Sequence, residues 1–146
     1  MATYTATMFA NTPKAIHIGD NSISGQFKFP AASSVGDVVF LAKVPHGATI
    51  VGIEEDHTTG ATAQAVSFGF ARGAASGGGG NASCLIASGA QATVNRGNVL
   101  GLPVTVSVSD TDPLRYAELV AKVESGSATT SLIINLRALV YRTDGT

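Results

Sequence analysis

The amino-acid sequence predicts an all-β fold, an antiparallel β-sandwich of about eight to ten strands with little or no helix. Three observations carry that expectation. Apolar and small polar residues alternate in short runs, as in VTVSVSD, where Val104, Val106 and Val108 are separated by Thr105 and Ser107; this is the period of a strand with one face on a core. Turn-forming clusters such as NTP, PHG, TTG, SDTDP and ESGS cut the chain into strand-length segments. No segment keeps apolar residues at i, i+3, i+4 and i+7 between recognisable helix caps.

The candidate strands follow in order. TYTATMF (3–9) lies in a polar, turn-containing N-terminal segment, and ISGQFKF (23–29), DVVFLAKV (37–44) and ATIVGIEE (48–55) come next. In QAVSFGFAR (64–72), Val66, Phe68 and Phe70 point inward while Ser67, Gly69 and Ala71 take the other face. ASCLIAS (82–88) precedes the valine strand. LRYAELVAKVES (114–125) can be read as a short helix, but Arg115, Ala117, Leu119, Ala121 and Val123 alternate well enough to favour a strand. In the last segment, TTSLIINLRALVYR (129–142), one face carries Leu132, Ile134, Leu136, Ala138 and Val140. The other carries Ile133, Leu139 and Tyr141 around Asn135 and Arg137. An apolar second face with no helix to cover it points either to a central strand of a tight sandwich or to association with another subunit.

At 146 residues the chain suits one core and is too short for two ordinary domains. Residues 21–146 are expected to form that single domain, with 1–20 as an extended, interface-forming segment. Charged residues make up only 13% of the chain, and the net charge is −1. That is about half the usual charged share of ~25% and leaves a surface of Ser, Thr, Gly and Ala suited to contact with other protein. The nine basic residues are scattered singly, which disfavours nucleic-acid binding. No basic start leads into an apolar export segment, and no run approaches the ~18 apolar residues of a membrane span, so no membrane partner is expected. Cys84 is the one cysteine, so an internal disulfide is excluded; its place in SCLIA predicts a buried, inert thiol.

Chemical motifs are weak. GAASGGGGNAS (73–83) formally contains G-x-G-x-x-A at Gly77, Gly79 and Ala82. It lacks the helix, the ribose-binding acid and the Gly-Lys-Ser/Thr ending that a phosphate site needs, and is read as a loop joining two strands. Asn81-Ala82-Ser83 spells a glycosylation acceptor without a secretory signal. In EEDHT, Glu55 and His57 share one side of a strand and Glu54 and Asp56 the other, so this segment offers at most two ligands to one metal. With His17 and His46 distant in sequence, a solvated acidic strand end is the favoured reading. Asp110 and Asp112 in SDTDP read as turn residues rather than calcium ligands. There is no G-x-S-x-G elbow, and with no Trp and 6% aromatics a sugar platform is poorly supplied. No enzyme, cofactor or metal site is expected.

The strongest lead is GDVVFLAKVPHGATIVGIEEDHT (36–58), where a strand ends in Lys43-x-Pro45-x-Gly47-Ala48 and turns tightly into a second. It resembles a pattern in small β-sandwich virion proteins of tailed bacteriophages. The resemblance continues loosely through VSFGFARG and SLIINLRALVYRTD. It implies a capsid decoration, or cement, protein with a jelly-roll-like sandwich, made in the host cytoplasm and placed on the outer surface of the virion. Such a protein bridges neighbouring major capsid subunits and associates with itself, with a trimer favoured over a dimer. The contact residues expected are Tyr4, Met8, Phe9, Arg137 and Tyr141. A receptor- or carbohydrate-binding module of a phage fibre is the alternative, and the scarcity of aromatics weighs against it.

Overall fold

A computed structural model describes residues 2–7, 19–58, 64–71, 74–75, 83–91, 93–97, 101–108, 116–126 and 131–142, of which 19–21, 74–75 and 141–142 are described by backbone alone. Met8, Phe9, His17, the SDTDP turn, Arg115 and the glycines 77–80 lie outside them. The described residues hold eleven strands: β1 (Thr3–Thr5), β2 (Gly19–Ala32), β3 (Val38–Pro45), β4 (Thr49–Thr58), β5 (Ala65–Phe70), β6 (Ala74–Ala75), β7 (Ile86–Gly89), β8 (Asn95–Arg96), β9 (Val104–Ser107), β10 (Tyr116–Ser125) and β11 (Ser131–Arg142). They form two sheets, ordered β1-β3-β10-β5-β7 and β2-β11-β4-β9-β6, with β8 also bonded to β4.

Setting aside the short β1, β6 and β8, the remaining eight strands pair as nested antiparallel partners. β2 bonds β11, β3 bonds β10, β4 bonds β9 and β5 bonds β7. The chain is thus one long hairpin, folded so that its nested pairs fall alternately into the two sheets, which are completed by the β11–β4 and β10–β5 ladders. This is the jelly-roll form of the β-sandwich. The tip of this hairpin is the chain between β5 and β7; of the stretch 73–83 read as a loop, Ala74–Ala75 instead form β6 and pair with β9.

The sheets meet over a core that includes Phe29, Leu41, Ile50, Ile53, Phe68, Phe70, Leu85, Leu119, Leu132 and Ile134, all buried. The alternating valines Val104, Val106 and Val108 and the inner face of β11 point into it. So do Ala117, Leu119, Ala121 and Val123, on a strand and not a helix. Two bulges keep the apolar phase where strict alternation would lose it. Opposite Leu119 and Val120 the register of β3 shifts, so Leu41 and Ala42 are both buried though adjacent. Opposite Leu139 and Val140, β4 carries an extra residue, so Ile50 and Ile53 both face the core while Val51 is turned out.

The expected antiparallel sandwich is borne out, and the short β1 adds one parallel pairing, with β3. The intervening β2 belongs to the other sheet, so the chain crosses over and returns in the same direction. The second strand is much longer than ISGQFKF: it runs through Gly19, Asp20 and Asn21 and past Pro30, residues that usually mark turns. The long β11 ladder overrides those preferences. Pro30 is tolerated because β2 is an edge strand and its register shifts at that end, between the Ala32 and Lys28 pairings.

Candidate functional site

One polar cluster lies inside the sandwich and one mixed face outside it. The inner cluster starts from the phase of β4, which aims Glu55 and His57 inward, where 2% and 1% of their surfaces stay exposed. The expected solvated acidic strand end therefore fails for these two residues, since bulge and register, invisible in composition, set which side is inside. The His57 ring donates from Nδ1 to Glu55 Oε2 at 2.9 Å and from Nε2 to the Gln64 carbonyl at 2.9 Å. A doubly protonated ring satisfies the carboxylate on one side and the carbonyl on the other at once, with Glu55 as its ion partner. Burial is the largest influence on its pKa and pulls it down, but the Glu55 hydrogen bond, the Gln64 carbonyl and the charges of Glu55 and Asp56 together raise it above the ordinary value.

The rest of the cluster satisfies the pair. Asn95 Nδ2 donates to Glu55 Oε1 at 2.6 Å, Ser33 Oγ donates to Gln64 Oε1 at 2.8 Å, and Gln64 N–H donates to Gln91 Oε1 at 2.9 Å. Gly89 provides the room: a Cβ there would stand 2.6 Å from Asn95 Nδ2 and 2.7 Å from Glu55 Oε1. These groups tie β4 and β8 of one sheet to the residues just before β5 and just after β7 of the other. A closed, satisfied network of this kind has a structural role, and among the described residues no three His, Cys, Asp or Glu side chains converge as metal ligands. Cys84 is buried, as the SCLIA run predicts, and burial pushes its thiol pKa up, away from nucleophilic use.

The outer face of the β2–β11–β4 sheet is the candidate contact surface among the described residues. Three adjoining depressions of about 420, 240 and 300 Å³ run along it over β4 and β11. Among the described residues, four large apolar side chains are well exposed, and Val51, Val94 and Leu139 line these depressions; the fourth, Val35, does not. Polar residues are interleaved in rungs. Arg137 stands opposite Glu54, whose carboxylate pairs with Arg96 at 3.2 Å. On the next rung Gln26 Nε2 donates to Asn135 Oδ1 at 2.8 Å, and Asn135 Nδ2 donates to Asp56 Oδ1 at 2.7 Å.

Of the expected contact residues, Arg137 lies on this face and lines two of the depressions. Tyr141 is paired through its backbone with Asp20 and Thr49, at the end of the same ladder. Tyr4 is elsewhere, half-buried with its ring 4.9 Å from Phe29 and 6.1 Å from Phe27. Val51 and Val94 were not singled out by sequence: Val51 reaches the surface only because of the β4 bulge, and Val94 belongs to no alternating run.

No family model and no curated protein matches the sequence. Among solved structures, the chain is similar over 99% of its length to all of one chain from the capsid of Ralstonia phage GP4, with a TM-score of 0.64 and 17% identity. It also matches a chain of the cyanophage Pam1 capsid asymmetric unit (TM-score 0.57, 15% identity, 87% of this chain and 89% of that one). A third match is to the acidic stable capsid of Helicobacter pylori bacteriophage KHP30 (TM-score 0.51, 16% identity, 90% and 94%). At these identities the likeness is one of fold, and it covers between 87% and 99% of this chain in three phage capsid structures.

Proposed function

We propose that this protein is a structural component of a phage virion that decorates the outer surface of the capsid and stabilises it by bridging neighbouring major capsid subunits. The observation that carries the reading is the end-to-end match with a chain of a phage capsid: one sandwich of this kind accounts for the whole of that chain. A weakly charged surface and a mixed apolar and polar sheet face support it, since both suit burial against other protein. The role is one of contact rather than catalysis, with copies of the chain associating on the shell. Met8 and Phe9, in the stretch leading from β1 to β2, are proposed as further contacts with the shell or a neighbouring copy.

The test is addition of the purified protein to capsids assembled without it. It should co-sediment with them and raise the temperature at which they release their contents. Protein left wholly in the supernatant, with capsid heat resistance unchanged, would overturn the proposal.

A further inference from the structure

We infer that the outer face of the β2–β11–β4 sheet is a two-fold contact with a second copy of this chain, in which Arg137 of each copy meets Asp56 of the other. This deepens the proposed structural role, and it can fail while that role stands.

The charges on the face are the first observation. Glu54 is taken by Arg96, and Arg137 forms no ion pair with any described residue. Asp56 is exposed and held only by the neutral amide of Asn135, which is itself steadied by Gln26. That chain of amides draws the Asp56 carboxylate toward Asn135. On the adjacent rungs Arg137↔Glu54 and Asn135↔Asp56 there stand one cation and one anion with no ion partner among the described residues, and a second such cation, Lys28, stands on the rung beyond, opposite Ile133. A two-fold axis passing between the two adjacent rungs lays Arg137 and Asp56 each on its opposite in the partner, which is what a self-complementary contact requires. Polar complementarity of this sort sets register, while the apolar residues beside it supply most of the burial.

Those apolar residues are the second observation. Val51, Val94 and Leu139 are 45%, 51% and 38% exposed, and all flank the charged rungs. The third is area. β11 has 12 residues. At ~3.4 Å each and with three to four strands ~4.8 Å apart, the face spans on the order of 600–800 Å². That approaches the ~800 Å² each partner gives to an interface of standard size. Two such faces can stack as sheets do in a sandwich, ~10 Å apart. A three-fold contact would have to use other surfaces.

Charge reversal tests this with the full-length chain. Wild type should be a dimer by light scattering and native mass spectrometry. Arg137→Glu and Asp56→Arg should each raise the dimer dissociation constant at least tenfold, because each places like charges together twice. Mixed in equal amounts, the two variants should restore the dimer as a heterodimer. The introduced glutamate of one copy then faces the introduced arginine of the other, and the Asp56 kept by the first faces the Arg137 kept by the second. Both sites are exposed, and circular dichroism checks that each variant keeps the wild-type spectrum. Leu139→Ser, with no charge change, should weaken the dimer as well. A monomeric wild type, an oligomer indifferent to Arg137→Glu, or two folded variants that do not recombine would overturn the inference. If wild type is monomeric but Arg137→Glu abolishes co-sedimentation with capsids, the face contacts the shell instead: the inference falls and the decoration role survives. Failure of wild type to bind capsids while the charge-reversal pattern holds would sink the decoration role alone.

Discussion

His57 has an acceptor at each ring nitrogen and almost no contact with water, so its proton is part of the fold. Its pKa is raised in the folded chain, so its contribution to stability is fully present below the unfolded value of ~6.5 and is lost as pH climbs through the folded value. The thermal midpoint should fall on the alkaline side of that window, and His57→Gln should flatten this slope; an unchanged slope in the variant would remove His57 as its cause. Glu55→Ala removes the partner that holds the His57 proton, so the buried ring loses its charge and a hydrogen bond, and the variant should lose about 1–3 kcal/mol, read from urea midpoints. Gly97 is constrained by shape rather than charge: a Cβ there would overlap Ile53 Cγ2. Gly97→Ala should cost about 1–3 kcal/mol, the range for overpacking a filled core. By contrast Gly101, with φ of +74° and nothing within 4 Å of an added Cβ, would suffer backbone strain alone. Alternation in the sequence places Glu55 and His57 on one side of a strand. It does not say that this side is the inner one, because acidic and basic residues at a strand end are most often solvated.

At the scale of elements, β1 is held in place by a carboxylate from the turn before β3. Buried Asp37 accepts from Ala2 N–H at 2.8 Å and from Ser34 N–H at 2.9 Å, while Ala2 O and Phe40 O accept from Val38 N–H and Ala6 N–H at 2.9 Å each. Tyr4 on that strand closes an aromatic cluster with Phe27 and Phe29, sealing the edge where the two sheets meet. Deleting residues 2–6 should therefore lower the thermal midpoint of the whole sandwich. A deletion meant to test shell contact by the N-terminal segment has to keep them and start at Met8. If the shortened chain melts like wild type, β1 is an appendage rather than part of the fold. Strand identity was largely legible in the sequence, because one-sided burial writes a period of two into residues such as Val104–Val108 and Leu132–Val140. The bulges at Leu41–Ala42 and Val51 were not, since nothing local distinguishes an extra residue from a change of face. The candidate face was half legible for that reason: Arg137 and Leu139 follow from β11, whereas Val51 follows from a register that only the partner strand fixes.

For the molecule as a whole, the nested pairing has a consequence for how it folds. The β5–β7 pair closes a loop of 15 residues between Phe70 and Ile86, whereas β2 and β11 join residues as far apart as Asp20 and Tyr141. Closing the outer pair first would cost more chain entropy, although loop cost grows only slowly with length. The stronger argument is that each inner pair brings the next strands together, so closure from the tip never needs a long loop at once. Folding dominated by such non-local pairings is slow, in the millisecond-to-second range or beyond. Pulse-labelled hydrogen exchange during refolding should show β5 and β10 amides protected before those of β2 and β11. Equal or earlier protection of the β2–β11 ladder would refute closure from the tip. A related expectation concerns the glycines at that tip. If they serve only to let the strands turn back, removing two of Gly77–Gly80 should slightly speed early protection of β5 and leave the final stability unchanged within about 0.5 kcal/mol. A large fall in stability would show instead that the tip is packed against the sandwich, and the four consecutive glycines would then be part of its core architecture.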